Sequence, residues 1–90
     1  MEVITVKANS RTAAVAGAIA GVMRDMHHAE VQAIGAGAVN QAVKAIVLAT
    51  AYLVDDGINI YCMPEFVDVD IDGKVRTAIK LTIEEHNKPA

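Results

Sequence analysis

Aromatic residues are nearly missing from this sequence. Tryptophan is absent, phenylalanine occurs once and tyrosine twice, and together they make 3% of 90 residues. The core must therefore be built from Val, Ile, Leu, Ala and Met. With no aromatic on the polar loops, stacking of bases on aromatic rings is not expected. Cysteine occurs once, at Cys62, which excludes an internal disulfide and fits a reducing compartment. A basic excess is also missing. The formal charge is −3, so there is no global positive field of the kind a strong DNA binder carries. No charge-free apolar run reaches membrane-spanning length, because Arg24, Glu30 and Lys44 interrupt the candidates. The N-terminus opens Met-Glu-Val, without a basic region or an apolar signal core. A soluble cytoplasmic protein with no membrane role is the expectation.

What is present is apolar: 53% of the residues are hydrophobic. That is too many for a disordered chain. The length fits one domain, taken as residues 1–86 with a polar tail at 87–90, and a chain this short buries a modest core. A buried interface between copies would account for the apolar surplus. No internal repeat or linker interrupts the chain. Charge is unevenly spread. Residues 51–72 carry only acids (Asp55, Asp56, Glu65, Asp68, Asp70 and Asp72), whereas Lys74, Arg76, Lys80 and Lys88 follow. A local basic surface on an acidic protein is thus open.

Periodicity places the elements. Glu2 to Lys7 is short and β-branched, a strand pattern. The polar turn Ala8 to Thr12 follows, in which Ser10 and Thr12 are N-cap candidates. Val15, Ile19, Val22 and Met26 mark a helix over Ala13 to Met26. Its interior Gly17 and Gly21 are expected to serve close backbone packing. Glu30 to Ile34 is a second strand. It runs into Gly35-Ala36-Gly37, where two glycines let the backbone approach a partner and a helix N-terminus favours an anion. Val39, Val43, Ile46, Thr50 and Leu53 mark one face of the second helix, which Gly57 ends. Ile58, Ile60 and Cys62 alternate on even positions, and Val67, Val69 and Ile71 on odd ones. A bulge or break near Pro64 to Phe66 would account for the switch. Asp72-Gly73 is a hairpin signal. Val75 to Ile83 alternates between a buried face and a basic one, and the tail from Glu84 is expected to fray. The order β-α-β-α-β-β predicts an α+β fold: a two-layer, mixed four-stranded sheet with two helices on one face.

The chemistry-bearing residues are few. Gly35, Gly37, Asn40, Gln41 and Lys44 form either a phosphate cradle or a tight strand-to-helix junction with a solvated face, since a lone G-x-G is weakly specific. Arg11 has less structural excuse than its neighbours and is the better contact candidate. Lys74, Arg76 and Lys80 form either a nucleic-acid face or a solvated strand face guarding an edge. His27, His28 and Glu30 do not make a metal site by spacing, and no further ligand cluster exists, so no metal is expected. Cys62 alternates with core residues and reads as a buried thiol. Asp68, Asp70 and Asp72 read as solvated acids. No nucleophile, base and orienting group assemble, so neither catalysis nor a cofactor is expected.

The stretches Val15-Ala16-Gly17-Ala18-Ile19-Ala20-Gly21-Val22 and Ala29 to Ala45, together with Ile71-Asp72-Gly73 and Arg76-Thr77-Ala78-Ile79-Lys80-Leu81, resemble the stage V sporulation protein S (SpoVS) family across nearly the whole chain. The resemblance implies an Alba-like fold, and Alba-type proteins form dimers and bind DNA or RNA. It implies a small, bacterial, non-enzymatic regulator acting as a homodimer, with higher oligomers open and the regulated process not transferable. In Alba-like proteins the first βα loop, the second βα turn and the last hairpin face nucleic acid. Carried onto this chain, these elements supply Lys7, Ser10, Arg11, Gly35, Gly37, Asn40, Gln41, Lys44, Lys74 and Arg76. The chain departs from the Alba pattern by having glycines where those proteins carry arginine, and by having Asp68, Asp70 and Asp72 on the hairpin arm. Fewer phosphate contacts imply a lighter grip with a flatter salt dependence. The rival reading is a protein-interaction or small-anion-sensing module without nucleic-acid binding.

Overall fold

The computed structural model describes residues 3–86. Strand β1 (Val3–Val6) leads through a turn into helix α1 (Thr12–Met26), strand β2 (His28–Ala33), helix α2 (Ala36–Val54), strand β3 (Ile60–Ile71) and strand β4 (Lys74–Glu85). The sheet order is β1-β2-β4-β3. β1 and β2 pair in parallel, and the other two pairings are antiparallel. The β-α-β-α-β-β layout and the mixed four-stranded sheet agree with the sequence expectation. Residues 1, 2 and 87–90, including the polar tail, lie outside the described residues.

Alternation decides which face of the sheet is buried. Ala29, Val31 and Ala33 of β2, Leu81 and Ile83 of β4 and Val6 of β1 are buried with residues of both helices. The intervening positions Glu30, Gln32, Lys80, Thr82 and Glu84 form the opposite, polar face, here called the outer face. Burying a half-apolar sheet under a helical layer is the two-layer solution such strands require.

The second helix buries a face offset from the one its large residues mark: Leu53 is shared, Val39 and Ile46 flank it against the core, and Val43 is excluded. Its fully buried positions are Ala38, Ala42, Ala45, Ala49 and Leu53. Val43 and Val47 point outward, the latter 66% exposed. Small side chains let α2 lie close to α1 and the sheet, so the alanines take the centre of the interior face, and Val43, Val47 and Val54 are left outside. By length and composition α2 could cross a membrane. The buried alanine stripe makes it a packed helix with a second, uncovered apolar face. The glycines of α1 also depart from expectation: a Cβ built on Gly17 or Gly21 meets nothing within 4 Å. They admit no close backbone neighbour among the described residues.

β3 runs without a bulge. Its pairing with β4 keeps one register from Ile60↔Glu85 to Ile71↔Lys74, straight through Pro64↔Leu81. The shift in apolar parity is instead a change of surroundings. Near Ile60 and Cys62 the apolar side faces the helices, where both pack against the core. Farther along, beyond the end of β2, Val67, Val69 and Ile71 share the outer face with Ala78, Arg76 and Lys74. Ala78 is 1% exposed there. Phe66 and Val75, on the helix side of this arm, are 77% and 70% exposed. Val75 is thus not a buried position of β4. Pro64 is tolerated because β3 is an edge strand.

Asp72 and Gly73 both have positive φ, 54° and 79°, as a two-residue hairpin turn with the right-handed strand twist demands. The last strand does not fray at Glu84. Glu84 and Glu85 belong to β4, and their carboxylates bond to the rings of His28 and His27.

Candidate nucleic-acid interface

β1 and β2 are parallel, so both end at the same edge of the sheet, and both helices start there. That edge is where the first loop, the start of the glycine turn and the end of the hairpin arm near Ile71 and Arg76 converge. The first loop is closed on itself: the Lys7 N–H donates to Ser10 Oγ at 2.8 Å, and the Ser10 N–H donates back to the Lys7 carbonyl at 3.0 Å. Ser10 therefore shapes the turn and does not cap α1. Arg11 occupies the N-cap position, with no side-chain cap bond, and its carbonyl accepts the Val15 N–H at 3.0 Å. Thr12 is the first helical residue.

The glycine turn is built for close approach. Gly35, the N-cap residue of α2, has φ 91° and ψ 156°, a conformation side-chain-bearing residues rarely adopt. A Cβ on Gly37 would sit 2.9 Å from Ala8 Cβ, so this glycine lets the first loop rest on the start of α2. Gln41 fastens the two together. Its Nε2 donates to the Ser10 carbonyl at 2.9 Å and to Thr12 Oγ1 at 3.3 Å. Gln41 is thereby a structural clasp between the two loops, a role its sequence position alone does not reveal.

A cavity of about 310 Å³ opens at this convergence. Val6, Ala8, Ile34 and Ile71 give it apolar walls. Thr5 and Gln32 bring polar groups, and Lys7 and Arg76 bring positive charge. The sequence marked Lys7 and Arg76 but missed Thr5, Gln32, Ile34 and Ile71. Thr5 and Gln32 follow from alternation, since they pair across β1 and β2 on the outer face. Ile71 is legible only once β3 is known to run without a bulge.

The other candidate residues do not line the cavity. Arg11 follows the first loop, and Lys74 stands opposite Ile71 at the hairpin end. Asn40 and Lys44 are exposed on α2, and no contact draws them to the cavity. Among the described residues, Lys7, Arg11, Lys44, Lys74 and Arg76 have no carboxylate partner. The acids of the arm are held apart from its bases. Asp68 and Asp70 pair across from Thr77 and Val75 on the helix side, whereas Lys74 and Arg76 share the outer side. Asp70 Oδ1 accepts the Gly73 N–H at 2.9 Å, and Asp68 accepts the Thr77 hydroxyl at 3.4 Å. These acids are therefore partly engaged in shaping the turn.

Lys80 behaves differently from Arg76, four residues earlier on the same strand. Its Nζ lies 3.1 Å from Glu65 and 3.6 Å from Glu30, and Glu65 followed by Glu30 holds its pKa above the ordinary lysine value. His28 bonds to Glu84 and lies 3.5 Å from Glu30. Glu84 foremost, with Glu30, raises the His28 pKa from 6.5 against the opposing effect of burial. Burial pushes the Cys62 thiol up, away from the thiolate that nucleophilic or redox chemistry uses.

The chain matches the model of the Stage V sporulation protein S (SpoVS) family over residues 2–86, nearly its full length, and belongs to that family.

Proposed function

We propose that this SpoVS-family protein is a small, non-enzymatic, sporulation-type regulator that binds nucleic acid as a cytoplasmic homodimer. The observation that carries the reading is a set of cations with no carboxylate partner among the described residues, at and around the convergence of the first loop, the glycine turn and the hairpin arm. Cations with no carboxylate partner are available to phosphates, and phosphate contacts position a protein on DNA or RNA without fixing the sequence read. Lys7, Arg11, Lys74 and Arg76 supply the charge near the convergence, and Lys44 extends it along α2. Asn40, exposed on α2, offers an amide to backbone or base edges. Gly35, Gly37, Ser10 and Gln41 set the shape that holds the loops.

The test is a salt-titrated binding assay with duplex DNA, single-stranded DNA and RNA. Arg11→Ala with Lys44→Ala is expected to flatten the dependence of log affinity on log salt by about 2 in slope. Absence of binding to all three polymers at low salt would overturn the reading. The cavity favours one rival, a small-anion-sensing module. Thermal stabilisation by a phosphorylated metabolite, without affinity for any polymer, would support that rival.

The homodimer rests on uncovered apolar surface: Val43, Val47 and Val54 on α2, and Phe66 and Val75 on the helix side of the hairpin arm. Contiguous apolar surface left exposed on a small protein marks an interaction site. Solution scattering is expected to give twice the chain mass, and Val47→Asp is expected to return it toward one. A single-chain mass for the unaltered protein would contradict the dimer.

A further inference from the structure

The cavity at the convergence has features that a phosphate-tracking surface does not need. It is concave and mostly apolar, and it is lined from the ends of β1 and β2 and from both strands of the hairpin arm. Its volume of about 310 Å³ lies at the small end of the range typical of ligand sites, which begins near 300 Å³. Polymer backbone lying on a surface requires cations alone, yet here Ala8, Ile34 and Ile71 line the cavity together with Lys7 and Arg76. Thr5 and Gln32 add a hydroxyl and an amide, which between them can donate to and accept from the edge of a planar ligand.

We infer that this cavity holds one nucleotide unit: the base lies among Ile34, Ile71 and Arg76, and the phosphate meets Lys7 and Arg76. The inference rests on the nucleic-acid reading for its choice of ligand and adds a site within it. A guanidinium plane stacks on a base as an aromatic ring does, so the scarcity of aromatics is no obstacle. Aliphatic side chains cover the rest of the base without specifying it, and Gln32 and Thr5 meet its edge. Such a pocket receives an unpaired nucleotide, because a base inside a duplex would first have to leave its stack. The shared chemistry is a nucleoside 5′-monophosphate unit, which comes either from a single strand or from free nucleotide.

Two measurements separate the sources and test the site. In the first, thymidine 5′-monophosphate is titrated into the isotopically labelled protein while amide resonances are followed. Shifts concentrated at Lys7, Ala8, Ile34 and Arg76 are expected. In the second, anisotropy compares a twelve-nucleotide oligo-dT strand with its oligo-dA duplex for the unaltered protein and for Thr5→Leu, which fills the cavity and leaves the charge alone. The single strand is expected to bind about tenfold tighter than the duplex, and Thr5→Leu to remove about that factor from the single strand only. Localised shifts with no polymer binding would uphold the pocket for free nucleotide and overturn the nucleic-acid reading. Duplex binding without localised shifts, and with both polymers unaffected by Thr5→Leu, would overturn the pocket and leave the nucleic-acid reading standing. The titration uses the unaltered protein, so a Thr5→Leu chain that failed to fold would leave the test intact.

Discussion

The outer face of the sheet and the edge where the loops converge carry similar charge and use it in opposite ways. On the face, Lys80 lies between Glu30 and Glu65, and His28 between Glu30 and Glu84, so each cation is matched by acids from neighbouring strands. At the edge, Lys7 and Arg76 line a cavity with no acid partner among the described residues. Ion pairs on a half-exposed sheet face contribute little to stability. Their register across β2, β4 and β3 nonetheless favours one alignment of strands, because a slip would set like charges together. Cations at the edge make no such pair among the described residues, and the proposed function assigns them to an anion from outside. Two cations four positions apart on β4 are thus tied into ion pairs in one case and, in the proposed function, assigned to recognition in the other.

The largest expected effect comes from breaking the backbone geometry of the edge. Gly35→Ala must place a side chain at φ 91°, and should cost about 1–3 kcal/mol in chemical denaturation. It should also weaken polymer binding by shifting the start of α2, on which the first loop rests at Gly37. A surface belonging to neither region offers the control. Gly17→Ala, exposed in α1 with nothing near its added Cβ, should raise stability by about 1 kcal/mol without touching affinity. The smallest effect belongs to the strapped face. His28 has a folded-state pKa above 6.5, so its stabilising contribution is full below that value and is lost as pH rises through the folded-state pKa. The melting temperature should therefore fall gently as pH is raised from about 6 to 8. His28→Gln should flatten this dependence and leave nucleic-acid affinity intact.

Much of this arrangement was legible in the residues. Strict alternation along β4, the Asp72-Gly73 turn and the helical spacing of Val15, Ile19 and Val22 carry the element order. The stretch Ala33 to Ala45 marked the junction where the loops meet. Other features needed the folded chain. Large valines on α2 suggest a buried stripe, but close helix packing selects the alanines beside them. The parity change in β3 looks like a bulge, because a sequence does not tell where the helical layer ends. Ser10 and Thr12 look like helix caps. Instead Ser10 closes its own turn and Thr12 receives Gln41, a contact spanning 29 residues. Likewise, nothing local separates Lys80 from Arg76. The register beside Glu30 and Glu65 does, and register is a property of the assembled sheet.

The comparison reduces to one pair of substitutions. Arg76→Gln and Lys80→Gln each remove one positive charge from the same strand. Binding of single-stranded DNA, measured across salt concentrations for both variants and the unaltered protein, tests the account directly. Arg76→Gln should lower the salt slope by about 1 and weaken affinity, and Lys80→Gln should leave both unchanged. Equal losses from the two variants, or a loss from Lys80→Gln alone, would contradict the division between a strapped face and a recognising edge.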